Sequence, residues 1–213
     1  MSVSGRPAEK RSFTEPIPEV YLAAGLLERA VEQHIASNYK FAEDLFGSAD
    51  LMVLWDWANS HWDRRWRSVV KPHVDGLPTA NSLDGREKAR MPSKITRAEV
   101  LQRDGYHCRF CGIPVIPEEV RKKAHSLYPS VVRWGRKSEE QHAAFQALWL
   151  QFDHLVPHSR GGTNEVRNIV VACAPCNYGR GNFLLNEVGI SDPFLRPPVK
   201  SMWQGLAQFV KSR

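Results

Sequence analysis

The sequence predicts an α+β protein, mainly helical, built around a small strand–loop–strand–helix core. Three observations carry that expectation. Residues 152–182, FDHLVPHSRGGTNEVRNIVVACAPCNYGRGN, hold a strand-like run ending in Asp153-His154, a Gly161-Gly162 turn, and the apolar run Ile169-Val170-Val171-Ala172 leading into Cys173-x-x-Cys176-Asn177. Apolar residues at helical spacing recur on both sides of this segment. All four cysteines fall in two CxxC pairs, Cys108/Cys111 and Cys173/Cys176.

In chain order, residues 1–18 are polar with scattered prolines and read as a flexible tail. Residues 19–75 form a helical N-terminal region. One helix starts at Val20, with Ala23, Leu26, Leu27, Ala30, Val31, His34 and Ile35 on its apolar face. His34 there reads as a core histidine, not a ligand. A second helix runs from Leu51 to Val70, with Leu51, Leu54, Trp55, Ala58, Trp62, Trp66 and Val69 inward. His61, Arg64, Arg65 and Arg67 lie off that stripe as a solvated face. Pro, Gly, Asn and Asp then accumulate, and residues 76–92 read as a linker.

Residues 93–185 form the next unit. Thr96-Arg97-Ala98-Glu99 is a capping box that starts a helix ending near Arg103, stopped by Asp104-Gly105. The first CxxC knuckle follows. Residues 113–150 read as a helical insertion, with helices near Pro117–Leu127 and Ser138–Leu150. Arg121, Lys122, Lys123, Arg133, Arg136 and Lys137 make it basic, as solvated or phosphate-contacting residues. Residues 186–213 form a C-terminal segment whose helix, Ser201–Lys211, docks through Met202, Leu206, Phe209 and Val210.

Composition narrows the function. No apolar run approaches the roughly 20 residues of a membrane span, and the N-terminus has no apolar signal region. The expectation is a cytoplasmic protein without membrane contact, whose CxxC pairs are metal ligands rather than disulfides. Four thiolates favour a closed, tetrahedral, structural zinc site at Cys108, Cys111, Cys173 and Cys176. Charge is uneven: residues 1–92 hold 12 Lys+Arg against 13 Asp+Glu, and residues 93–213 hold 17 against 10. The basic part is the one that bears the motif, which suits a polyanionic partner.

The spacing of Asp153-His154, Asn168 fourteen residues after the histidine and Asn177 nine later resembles the ββα-metal core of HNH endonucleases. It closely resembles the HNH domain of RNA-guided CRISPR nucleases in that spacing. The CxxC pairs, and the order helix, Asp-Gly, aromatic, CxxCG, resemble zinc-bearing HNH proteins of bacteria and phages. The resemblance covers about residues 93–185. It implies that His154 is the general base, that Asp153 and Asn177 hold a catalytic Mg²⁺ or Mn²⁺, and that Asn168 braces the loop carrying the histidine. Many members carry histidine at the position of Asn177; the amide favours a hard cation. His158, Arg160 and Arg180 are candidate substrate contacts, Arg180 as a phosphate clamp or a solvated residue.

One geometric condition applies. Adjacent strand residues face opposite ways, so a strand regular through His154 leaves Asp153 one step removed from the ion. The implied activity is hydrolysis of phosphodiester bonds, with DNA favoured over RNA. The alternatives are a non-catalytic zinc DNA-binding module and an RNA-cleaving HNH effector. Residues 19–75 are the place for a protein partner or a dimer contact.

Overall fold

The computed structural model describes residues 10–60 and 88–212. The second half of the Leu51–Val70 helix, its tryptophans and arginines, and most of the 76–92 linker lie outside the described residues. The protein is α+β, with helices packed around one two-stranded sheet.

Helix α1 (Pro18–Ile35) buries Val20, Ala23, Ala24, Leu27, Ala30, Val31 and His34. Its proline lies at the first helical position, where no backbone N–H is needed. Ile35 is exposed and Leu26 half-buried, so the buried stripe is rotated slightly from the expected one. His34 is the core histidine expected: its Nδ1 lies 2.7 Å from the Tyr128 hydroxyl. Helix α2 (Tyr39–Ser48) returns along α1 and buries Ala42, Leu45 and Phe46. Sequence reading did not place it, because the helix is short and no capping side chain marks it. Helix α3 (Met52–Asn59) buries Trp57 rather than the expected Trp55, and Trp57 Nε1 donates to Glu15 O at 2.9 Å. Part of the expected tail is also held in place. Lys10 bridges Ile190, and Phe13 packs against Gly179 so tightly that a β-carbon there would lie 2.5 Å from its ring.

Helix α4 (Lys94–Asp104) starts two residues before the expected capping box. Ser93 is the cap and accepts from Thr96 N–H at 3.1 Å. Gly105, with φ of 69°, ends it. Helix α5 (Glu118–Leu127) lies where expected. The second insertion helix is shorter than expected: a 3₁₀ turn (Ser138–Glu140) precedes the five-residue α6 (Ala143–Ala147). Backbone bonds of Leu148 and Leu150 to Ile116, at 2.7 and 2.9 Å, take the chain out of helix there. Strand β1 (Leu150–His154) pairs antiparallel with β2 (Ile169–Cys173), from Leu150 opposite Cys173 to His154 opposite Ile169. Helix α7 (Ala174–Arg180) follows directly, and α8 (Ala207–Lys211) closes the chain. The expected helix from Ser201 is broken because Gly205 and Leu206 both have φ of 62°. Met202 and Val210 are exposed, while Leu206 and Phe209 are buried.

One apolar core runs from Val20 to Phe209 and includes Ile169–Ala172. Phe46, Tyr128, Phe145 and Phe209 meet at its centre. Much of the insertion's positive charge is internal. Arg121 stacks 3.8 Å from the Trp134 ring centroid. Lys123 donates to the Phe209 and Ser212 carbonyls at 2.7 and 2.6 Å, closing the C-terminus of α8. Arg133 pairs with Asp50. Arg136 and Lys137 stay exposed. Among the described residues, no helix is long and apolar enough to cross a membrane.

Two polar groups fix this packing. The Asp104 carboxylate, 1 % exposed, accepts from Arg103 at 2.7 Å and from Val171 N–H at 3.0 Å, and lies 3.4 Å from Arg109 Nε. Replacing Asp104 with alanine strands buried positive charge, and unfolding in urea should show a loss of about 3 kcal/mol. His142 caps α6: Nε2 donates to Phe46 O at 2.9 Å and Nδ1 accepts from Phe145 N–H at 3.4 Å. Only the neutral ring makes both bonds, and burial pushes its pKa down to about 4. The unfolded chain therefore binds the extra proton, so this stability is complete above about pH 6.5 and is lost as pH falls towards 4. A His142→Gln chain should lose less stability than wild type between pH 7.5 and pH 4.5, by roughly 2–3 kcal/mol.

Candidate active site

The hairpin positions two groups of side chains at its two ends. At one end are the cysteines. Cys173 ends β2 and Cys176 lies in the first turn of α7. Cys108 and Cys111 reach them from a knuckle closed by Gly112 N–H to Cys108 O and Cys108 N–H to Ile113 O, both 2.9 Å. Gly112 has φ of 83°, a conformation a side chain disfavours. A further bond, Arg109 N–H to Val171 O at 2.8 Å, fastens the knuckle to β2. All four sulfurs lie within 4.8 Å of one another, and those of Cys111 and Cys173 are 3.6 Å apart. Zinc–sulfur bonds of about 2.3 Å in a tetrahedron require sulfurs about 3.8 Å apart. Burial disfavours ionisation of Cys108, yet hydrogen bonds from the other three thiols hold it well below the usual thiol range. Cys173 is pushed well above that range by burial, and Cys176 by hydrogen bonding to Cys108. A dication beside the sulfurs would allow all four to ionise. The donor set fits zinc.

At the other end is the histidine loop. Leu155 N–H bonds Asn168 O at 2.8 Å. The Asn168 side chain then spans the loop: Oδ1 accepts from Val156 N–H at 2.8 Å, and Nδ2 donates to Val156 O at 3.1 Å and to Thr163 O at 2.8 Å. Gly162 makes this closure possible, since a β-carbon there would fall 1.7 Å from Val156 O. His154 Nε2 lies 2.9 Å from Asn164 Oδ1, and Asn164 Nδ2 donates to Ala89 O at 2.6 Å. With the Asn164 amide oriented that way, the neutral His154 ring carries its proton on Nε2 and its lone pair on Nδ1. Burial lowers the His154 pKa below the ordinary imidazole value. Asn164 was not singled out in the sequence, since a polar loop residue carries no spacing signal.

The strand stays regular through His154, so Asp153 and His154 leave it on opposite faces. Asp153 is buried and is gripped by Arg180: Nε donates to Oδ2 at 3.0 Å, and Nη2 donates to Oδ1. Burial raises the Asp153 pKa, and the arginine opposes that shift. Arg180 is itself 1 % exposed and also donates to the carbonyls of His154, Leu155 and Phe183. The expected phosphate clamp is thus a buried brace. Arg160 likewise pairs with buried Glu187, at 3.1 Å. The His158 ring stands 6.2 Å from the His154 ring. Asn177 Nδ2 lies 3.4 Å from Gln151 Oε1. Asp153, His154, His158, Asn177 and Arg180 all line one open cavity of about 570 Å³, with Arg90, Gln151 and Tyr178 around it.

Residues 142–191 match the HNH endonuclease family, so the chain carries an HNH endonuclease domain there. That span takes in both strands, the loop and α7; the Cys108–Cys111 knuckle precedes it. No curated protein and no solved structure matches the chain.

Purified protein should carry about one zinc per four-thiolate cluster. Cys176→Ser should lose it, and elemental analysis with thermal melting should show the metal and the cooperative transition disappearing together.

Proposed function

We propose that this HNH-domain chain is a metal-dependent endonuclease that hydrolyses phosphodiester bonds in DNA, with His154 as general base. What carries the reading is that His154, Asp153 and Asn177 border a single cavity while Asn164 fixes which ring nitrogen is free to accept a proton.

A neutral imidazole takes a proton from water near neutral pH. Nδ1 of His154 is the accepting atom, and Asn168 holds the loop so that the ring keeps its place. The hydroxide attacks phosphorus, the bond to the 3′ oxygen breaks, and that oxygen takes a proton from solvent, leaving a 3′-hydroxyl and a 5′-phosphate. β1 is regular through His154, yet Asp153 borders the same cavity as Asn177, so these two would still hold Mg²⁺ or Mn²⁺. Each carboxylate oxygen has two acceptor positions, and Arg180 takes one on each, so the outer positions stay available. Oxygen-only donors suit a hard cation. Such an ion supplies charge neutralisation at the phosphate and the leaving oxygen. Arg180 orients Asp153, as partners of metal ligands commonly do. Reduced thiols suit a cytoplasmic setting. Residues 93–185 would be the nuclease unit, with 113–150 inserted, and residues 19–75 the place for a protein partner or a second copy.

With Mg²⁺, wild-type protein should nick supercoiled plasmid, and His154→Ala should be slower by about 10²–10⁴-fold. Equal nicking by both proteins would remove the catalytic assignment. Matched RNA duplexes in the same assay decide the sugar.

A further inference from the structure

The catalytic cavity continues into a second one of about 390 Å³, and the two share Met91, Gln151 and Phe152. One wall is α4, which presents Lys94, Arg97 and Leu101 to it at helical spacing. The facing wall is Trp149 and Phe152, at the start of β1. Trp149 is held edge-on to Trp134, with ring centroids 5.8 Å apart. The Arg97 guanidinium stands 5.9 Å from the Phe152 ring centroid, and its Nε is buried without a hydrogen-bond partner.

The position of this groove relative to the catalytic histidine is fixed by the strand. Phe152 and His154 are two apart on regular β1, so they share a face about 6.6 Å apart along it. That is comparable with one nucleotide step of an extended backbone. Aromatic faces with neighbouring cations are how proteins hold unpaired bases without reading sequence. Glu118 also borders the groove, but Arg121 and Lys122 neutralise it at 3.0 and 3.2 Å. Glu119 borders it too, and a carboxylate there can accept from an exocyclic base amine.

We propose that this groove takes an unpaired nucleotide flanking the scissile phosphate, with its base against Phe152 and Trp149 and its phosphate at Lys94 and Arg97. The substrate class is then single-stranded or locally unpaired nucleic acid, not an undistorted duplex. A base inside a duplex is stacked on its neighbours and cannot reach the two rings. This inference rests on the nuclease reading for the position of the scissile phosphate.

The test is fluorescence anisotropy with the full-length His154→Ala chain and no added magnesium. The probes are a labelled 12-nucleotide DNA single strand and the same sequence as a duplex. The single strand should bind about tenfold more tightly than the duplex. Adding Phe152→Leu should weaken single-strand binding about tenfold, and Arg97→Gln, on a solvent-facing helix, should weaken it several-fold and flatten its salt dependence. Retained zinc reports that each variant is folded; if Phe152→Leu loses zinc, Arg97→Gln alone decides. Equal affinity for strand and duplex, or unchanged strand affinity in the folded variants, overturns the subsite. An uncut single strand with wild-type protein and Mg²⁺, beside the predicted binding pattern, overturns the nuclease reading and leaves the groove standing.

Discussion

Ten residues in one antiparallel ladder set the distance between the two chemical centres of this protein. Leu150 lies opposite Cys173 and His154 opposite Ile169. The sulfur cluster is thereby tied to one end of the hairpin and the imidazole to the other. A slip of one residue would turn every side chain to the wrong face. The ladder is short, and two strands alone are marginal in water. Its register depends on what holds it from outside: the knuckle bonded to Val171, the Asp104 carboxylate on the Val171 amide, and the thiolates at the Cys173 end.

Charged residues supply much of that outside hold. Asp104 gathers Arg103 and Arg109, Asp153 faces Arg180, and Glu187 faces Arg160. Such pairs add little net stability, since removing charges from water offsets most of their attraction. What they add here is geometry, because a buried carboxylate left without a partner is costly. Around the cavity, this means that the positive charge of Arg160 and Arg180 orients protein groups.

The insertion between the two knuckles has a comparable role. Phe145 and His142 meet Phe46, and Ala143 N–H donates to Asp50, from the N-terminal part of the chain. Lys123 fastens the C-terminal helix to the same body. The described N-terminal helices therefore share one core with the β1–β2 hairpin, and their packing supports the segment that leads into β1.

The sequence by itself determined the parts whose information is local. Two CxxC pairs, a strand ending in Asp-His, a glycine turn and an apolar run before the second knuckle are each readable from neighbours in the chain, and each was found in place. The loop brace at Asn168 also followed from spacing, through the family resemblance. Tertiary structure decided what depends on distant partners. It placed α2, moved the cap of α4 to Ser93, and broke the last helix at Gly205-Leu206. It gave Arg121, Lys123, Arg160 and Arg180 internal partners, and it brought Asn164 to His154. Side-chain type shows which bonds a residue can make, but its partner is chosen by the packing of segments far apart in sequence, and a linear pattern does not contain that choice.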